Sequence, residues 1–282
     1  RRIAFHLNCL EQGGAERVVT NLAHQFYAEG YEVFIATEWF GENEFQIDEG
    51  IRRVHVGLTE EDKRQSRAVQ IVRRVTHLRQ FVKKYQPDVL IAFAQKANYR
   101  ALMATVGMKV PVIISIRTDP VGHYDSLADK IQIPLLFPRA AGCVFQTQGQ
   151  KEFFPEGTQR KSRIILNPIN DKYIGVPRPE KRTKTVVQSG RLVDFKNQLM
   201  LIRAFVKVHE KHPDYDLKIY GGDSFDGTKE LLEALIAEKH AESFVTLMGA
   251  SDELEKVLND AAVYAFSSDW EGLPNALLEA MA

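Results

Sequence analysis

The first half of the chain alternates short apolar runs with stretches whose apolar residues recur every three or four positions. The runs at 3–7, 33–37, 89–93, 112–116, 143–147 and 164–166 have strand length and are rich in Val, Ile and Phe. Helical patterning fills 15–29, 68–84, 97–106, 127–137 and 150–154. Strands separated by helices pair in parallel through crossovers, so the pattern predicts an α/β fold with a helix-covered parallel sheet. The pattern breaks after residue 167. Pro168, Gly175, Pro177 and Pro179 fall among charged residues, followed by Lys181, Arg182 and Lys184, which is the composition of a linker. The alternation then restarts, with strands expected at 185–189, 217–220, 245–247 and 263–266 and helices at 198–211, 228–239 and 252–258. Two Rossmann-like domains facing a cleft are expected, residues 1–170 and 171–282.

Charge narrows the function classes. Lys and Arg together number 37 and so do Asp and Glu, which argues against a nucleic-acid-binding surface. The cysteines, Cys9 and Cys143, make neither a disulfide framework nor a metal motif, which points to a reducing, cytoplasmic compartment. No apolar run is long enough to span a membrane. The ends read as cut from a longer chain, with Arg1 and Arg2 leading straight into a strand and Ala282 stopping inside a helical pattern. Residues 63–84 stand apart. Lys63, Arg64, Arg67, Arg73, Arg74, Arg79, Lys83 and Lys84 crowd there around an apolar stripe of Ala68, Ile71, Val72, Val75, Leu78 and Val82. The stripe is expected to face the core and the cations the solvent, where they would favour peripheral contact with an anionic membrane at the inner face of the plasma membrane.

Several motifs carry chemistry. Gly190-Arg191-Leu192-Val193-Asp194-Phe195-Lys196-Asn197 follows the first strand of the second half, and ligands of parallel sheets bind beyond the carboxyl ends of strands. Arg191 and Lys196 are thus placed for an anion. In Glu271-Gly272-Leu273-Pro274-Asn275, Pro274 suits a first helical position, so free N–H groups point back toward Glu271. Glu279 lies more than a turn inside that helix. Carboxylates are acceptors suited to sugar hydroxyls, so an acid on each side of a phosphate-binding helix start fits a sugar nucleotide. Gly13-Gly14-Ala15-Glu16 follows the first strand and opens a helix, permitting close approach of a phosphate. A competing reading is a dinucleotide site with Glu38 as its ribose acid, although the glycine spacing is wrong for it. Asp214-Tyr215-Asp216 spells a metal-binding D-x-D, but it precedes a strand beside His212-Pro213 and reads as a solvated turn.

On the E-x7-E of Glu271 and Glu279, and on the Arg191/Lys196 loop, the chain resembles the family 4 retaining glycosyltransferases of the GT-B fold, with Gly13-Gly14 in support. The resemblance implies transfer of a hexose from a nucleotide-diphosphate sugar, UDP-linked in our reading, to a hydroxyl of a lipid-linked or growing glycan acceptor. It implies that Arg191 and Lys196 hold the donor diphosphate, and that Glu271, Glu279, Gly13, Gly14, Gly190, Gly272, Leu273 and Asn275 contribute to the donor site. It also places a histidine near the reacting sugar, for which His123 is the candidate, while Arg117 is a candidate contact for an acidic group of the acceptor. No cofactor or metal is required if the two cations and the helix start neutralise the leaving diphosphate. The Tyr220-Gly221-Gly222-Asp223 turn departs from the family's usual Gly-Asp-Gly. Two other classes stay open: a different GT-B enzyme such as an epimerase or phosphorylase, and a non-catalytic module that binds nucleotide sugars.

Overall fold

The computed structural model describes residues 1–11 and 13–282, which divide into two compact units, Arg1–Asn167 and Pro168–Ala282. The first contains β1 (Arg2–Leu7), α1 (Gly14–Ala28), β2 (Glu32–Thr37), β3 (Arg52–His55), α2 (Glu60–Lys63), α3 (Arg67–Tyr85), β4 (Val89–Phe93), α4 (Gln95–Ala104), β5 (Val112–Ser115), α5 (Leu127–Leu136), β6 (Gly142–Phe145), α6 (Gln148–Phe153), α7 (Glu156–Gln159) and β7 (Ser162–Ile164). The second contains β8 (Thr183–Ser189), α8 (Gln198–His209), β9 (Asp216–Tyr220), α9 (Thr228–Glu238), β10 (Val245–Gly249), α10 (Leu254–Asp260), β11 (Ala261–Tyr264) and α11 (Asn275–Met281).

Every strand pairs in parallel. The first sheet runs β3-β2-β1-β4-β5-β6-β7 and the second β10-β9-β8-β11. Both orders reverse direction once, between β1 and β4 in the first sheet and between β8 and β11 in the second. Loops leaving the two strands at such a reversal splay to opposite faces and open a crevice at the carboxyl edge. The glycine pair of residues 13 and 14 leaves β1, while the Arg191/Lys196 loop and the Glu271 segment leave β8 and β11.

The cores explain the helix positions. On one face of the first sheet, Leu78, Phe81 and Val82 of α3, Tyr99 and Leu102 of α4, and Ile133 and Leu136 of α5 pack over Phe34, Leu90 and Ile114. On the other, Val19 and Ala23 of α1 cover Phe5, Ile35 and Phe93. In the second unit Ile202, Phe205 and Leu232 seal α8 and α9 onto Leu217 and Ile219, each such side chain contributing about 1.5–3 kcal/mol.

Expectation and structure differ in instructive places. Residues 52–55 form the strand β3 with no preceding apolar run, because Arg-Arg-Val-His is an edge strand that needs only one inward side chain. The strand expected at 263–266 ends at Tyr264 and begins at Ala261, and that expected at 164–166 ends at Ile164. Pro274 is not the first helical residue. Its ψ of 113° is extended, and the helix starts at Asn275. The stripe on α3 is also only half internal. Leu78 and Val82 are buried, whereas Ala68, Ile71 and Val72 are exposed. Its cations are likewise divided. Arg74 turns inward to Glu38, and Arg79 donates to the carbonyls of Ala104 and Val106, so neither belongs to a solvated basic face. No helix among the described residues is long and apolar enough to cross a membrane.

Candidate functional site

The loop after β8 is shaped by its glycines. Gly190 has a φ of +149°, and a Cβ there would meet Cε of Lys196 at 3.3 Å. A Cβ on Gly221, after β9, would lie 1.9 Å from the Gly190 carbonyl oxygen, so the backbones of the two loops touch directly. Leu192 N donates to the Gly222 carbonyl at 3.0 Å and continues that contact. The loop ends at Asn197, whose left-handed φ of 50° suits asparagine and whose side chain caps α8 by accepting from Met200 N.

The segment after β11 is fastened to this loop. Asp269 N donates to the Phe195 carbonyl at 2.9 Å, Ser267 Oγ donates to the Lys196 carbonyl at 2.7 Å, and Asn197 Nδ2 donates to Asp269 Oδ1 at 2.7 Å. The rings of Phe195 and Trp270 stack with centroids 4.2 Å apart. These contacts bring Lys196 to Glu271. The ammonium pairs with Glu271 Oε1, to which Ser268 Oγ also donates at 3.1 Å, and both charged side chains are mostly shielded from solvent.

Glu279 belongs to the same neighbourhood. Burial pushes the Tyr264 phenol up, and the negative charges of Glu279 and Glu271 push it further. That hydroxyl lies 3.3 Å from Ser189 Oγ at the end of β8. One phenol thus senses both acids. Tyr264 carried no signal in the sequence beyond its place in an apolar run. Arg191 is exposed, and its guanidinium has no partner among the described residues. Its carbonyl accepts from Gln198 Nε2 at 3.0 Å. Gly272 and Leu273 lie in the bend before α11, and Asn275 opens that helix. Around this edge Asn275 Oδ1, Gln188 Oε1, Gln198 Oε1 and Ser224 Oγ are buried without hydrogen-bond partners among the described residues. Buried polar atoms are normally satisfied, so such a cluster is suited to a polar ligand.

In the first unit, Gly13 is the residue before α1 and Gly14 its first residue. A Cβ on Gly13 would lie 2.2 Å from Glu16 Oε2, so the Glu16 carboxylate folds over the helix start. The same acid reaches Arg117 electrostatically. Arg117 follows β5, donates to Asn167 Oδ1 and lies over the Phe93 ring, and burial brings its pKa down to about 10. Asn167 also accepts from Gln146 Nε2. His123 sits in the turn before α5, where its carbonyl accepts from Gln95 Nε2. The dinucleotide reading of Glu38 fails. Its side chain is 1% exposed, and Arg74 and Arg100 both donate to its carboxylate, leaving no oxygen for a ribose. Asp214 of the D-x-D pairs with Lys184, and among the described residues no group of three His, Cys, Asp or Glu side chains could hold a metal ion.

Two Rossmann-like parallel sheets with an acid-and-cation site at the reversal of the second define a GT-B protein. The sequence signature of "Glycosyltransferase Family 4" matches residues 12–173 and that of "Glycosyl transferases group 1" matches residues 170–282, and the chain belongs to the former family. A Campylobacter jejuni enzyme named as an N-acetylgalactosaminyltransferase acting on a diphospho-undecaprenol-linked N-acetylgalactosamine–diacetylbacillosamine is 31% identical over 69% of this chain. The match covers 55% of that relative, so the chain spans little more than half its length. A second Campylobacter jejuni N-acetylgalactosaminyltransferase, named for an undecaprenol-diphosphate-linked trisaccharide, is 22% identical over 99% of this chain and 76% of its own. The crystal structure of Anabaena HepE with UDP and glucose superposes with a TM-score of 0.76 at 15% identity, covering 99% of this chain and 78% of that one.

Proposed function

We propose that this chain transfers a hexose from a UDP-linked sugar to a hydroxyl of a lipid-linked or growing glycan acceptor, with retention of anomeric configuration. The second unit takes the donor and the first takes the acceptor. The observation that carries this reading is the Lys196–Glu271 pair at the β8–β11 reversal, with the Tyr264 phenol feeling the charges of both Glu271 and Glu279. Donor binding exchanges the Lys196–Glu271 contact for one between Lys196 and the diphosphate, with Arg191 as the second cation. Glu271, released, accepts from hydroxyls of the donor sugar, and Glu279 accepts from the ribose. The Gly190 and Gly272 bends let the diphosphate approach the backbone, and the N–H groups of Leu273 and Asn275 add donors. In the first unit, Gly13 and Gly14 are the candidate donor contacts, and Arg117 and His123 are the candidates for contact with the acceptor and the reacting sugar.

In this scheme the bond between the anomeric carbon and the diphosphate oxygen breaks as the acceptor oxygen bonds to the same face of that carbon. The acceptor proton passes to the departing phosphate, so no protein base is needed. Arg191 and Lys196 meet the charge developing on the leaving group, which is the role a divalent metal would otherwise fill. Placement at the cytoplasmic side follows from the intracellular supply of nucleotide sugars. Incubating the chain with a panel of nucleotide sugars and following products by mass spectrometry tests the reading. Release of free UDP, with the product anomer matching the donor anomer by NMR, is expected. A product that retains the sugar on the nucleotide would instead indicate an epimerase.

A further inference from the structure

The loop that leaves β2 holds two aromatic rings out in solvent. Trp39 is 42% and Phe40 64% exposed, although the strand before them is buried from Val33 to Thr37. A single exposed ring is ordinary, but these two are fixed in place. Glu38 N and Trp39 N both donate to the Asn8 carbonyl, at 2.8 and 3.2 Å, which lays the loop against the end of β1. Arg53 of β3 donates to the Trp39 carbonyl at 3.1 Å and to Thr37 Oγ1 at 3.0 Å, and its guanidinium lies 4.2 Å from the centroid of the Phe40 ring. Glu44 closes the loop. It takes one Arg53 nitrogen on each oxygen and accepts from Gly41 N at 2.7 Å and Leu10 N at 3.1 Å. His55, at the end of β3, donates from Nε2 to the Glu38 carbonyl at 2.7 Å. Its ring stacks beside Phe40 with centroids 5.9 Å apart and planes at 18°. The rings thus form a rigid platform, which loses little freedom when a ligand settles on it.

Position and charge select the ligand. The strand β2 lies beside β1, so the platform stands next to the Gly13–Gly14 turn at the carboxyl edge, where parallel sheets bind ligands. Among the described residues, the acids of the loop and its surroundings divide into two groups. Glu38 is taken up by Arg74 and Arg100, and Glu44 by Arg53. Glu42, and Glu11 packed against Gly41, are exposed and carry the remaining charge. That balance disfavours a phosphate or an anionic headgroup. A pyranose is neutral and two-sided. Its C–H groups rest on the negative face of an aromatic ring, while its rim of hydroxyls donates to carboxylates and accepts from amides. The loop offers the exposed Glu42 and Asn43 for that rim.

We propose that Trp39 and Phe40 form a saccharide subsite, which holds a neutral sugar ring of the acceptor glycan by stacking. The inference rests on the reading of a glycan acceptor and deepens it, since recognition then extends past the reacting hydroxyl to a sugar already in the chain. A longer acceptor binds better than a single sugar on this arrangement.

Binding of the 282-residue chain to an array of neutral and uronate-bearing mono-, di- and tetrasaccharides tests it, with calorimetry of UDP in parallel. The parent should hold neutral di- or tetrasaccharides in preference to monosaccharides and to uronates. The double variant Trp39→Ala/Phe40→Ala should bind them ~10-fold or more weakly, because two ring contacts are lost. Phe40→Tyr keeps the ring and should match the parent. The replaced side chains are exposed, so the thermal midpoint and UDP affinity of the double variant should also match. A parent that holds no arrayed saccharide would overturn the proposal. So would equal binding by parent and double variant, a preference for uronates, or a dimer in the parent that the double variant dissolves. Saccharide binding through the rings in a chain that does not bind UDP would support the subsite and refute the donor reading. UDP binding with no saccharide held would do the reverse.

Discussion

Two shielded charge clusters, one per unit, use the same chemistry for different ends. In the first, Glu38 closes β2 with a carboxylate taken up by Arg74 and Arg100, and His6 Nε2 lies 4.0 Å away with its ring fully buried. In the second, Glu271 follows β11 with one lysine and one serine on a single oxygen. Both acids follow strands of parallel sheets near carboxyl edges. The difference is saturation. Glu38 has an arginine on each oxygen and nothing left to offer, whereas the pair at Glu271 is monodentate and sits beside buried amides that lack partners. A ligand can replace one monodentate contact cheaply. It cannot displace two arginines from an acid buried among them. Position at a strand end therefore nominates an acid, and its count of partners decides between structure and function.

Substitutions can break this contrast. The largest effect is expected for Lys196→Ala in a turnover assay with the preferred donor. It should lower kcat by ~100-fold or more, because a charge-stabilising donor is lost, while leaving the urea midpoint nearly unchanged. A variant that turns over normally would remove Lys196 from the scheme. Glu38→Gln should do the reverse. Breaking a buried pair leaves Arg74 and Arg100 uncompensated and should cost about 3 kcal/mol in urea unfolding, with UDP affinity of the folded protein preserved. Stability unchanged by this substitution would show the first cluster to be dispensable.

The pH dependence sharpens the same point. Burial lowers the His6 pKa from 6.5 to about 4, although Glu38 opposes the shift. Between those values the unfolded chain binds a proton that the folded chain refuses, so stability is full above pH 6.5 and declines as pH falls toward 4. The slope should approach about 1.4 kcal/mol per pH unit and should flatten in His6→Gln. An unchanged slope would mean that the imidazole is protonated inside the fold. Smallest is Tyr264→Phe, which removes the hydroxyl beside Ser189, Glu271 and Glu279. It should cost about 1 kcal/mol of stability and raise KM for the donor a fewfold while kcat holds. A fall in kcat alone would give that hydroxyl a part in the reaction step.

Much of this was legible in the chain because it is local. The apolar run of β8, the glycine at its end and the spacing from Arg191 to Lys196 lie within one short stretch, and Glu271 and Glu279 stand eight positions apart on either side of one helix start. What escaped depends on residues far apart in the chain. The fate of Glu38 was set by Arg74 and Arg100, on two different helices. The outward turn of Ile71 and Val72 was hidden because an apolar stripe reads alike whether it meets a core or another surface. Tyr264 looked like one more strand residue until the fold set it against Ser189. The start of α11 shifted by one position because Pro274 took an extended backbone angle rather than opening the helix.

The account rests on the second unit's sheet edge being built for a pyrophosphate. Calorimetric titration of UDP into the parent, Lys196→Ala and Glu38→Gln tests this most directly. The account predicts that the parent and Glu38→Gln bind UDP alike and that Lys196→Ala binds ~10–100-fold more weakly, the loss of one charge-assisted contact. Equal affinity in the parent and Lys196→Ala would contradict it.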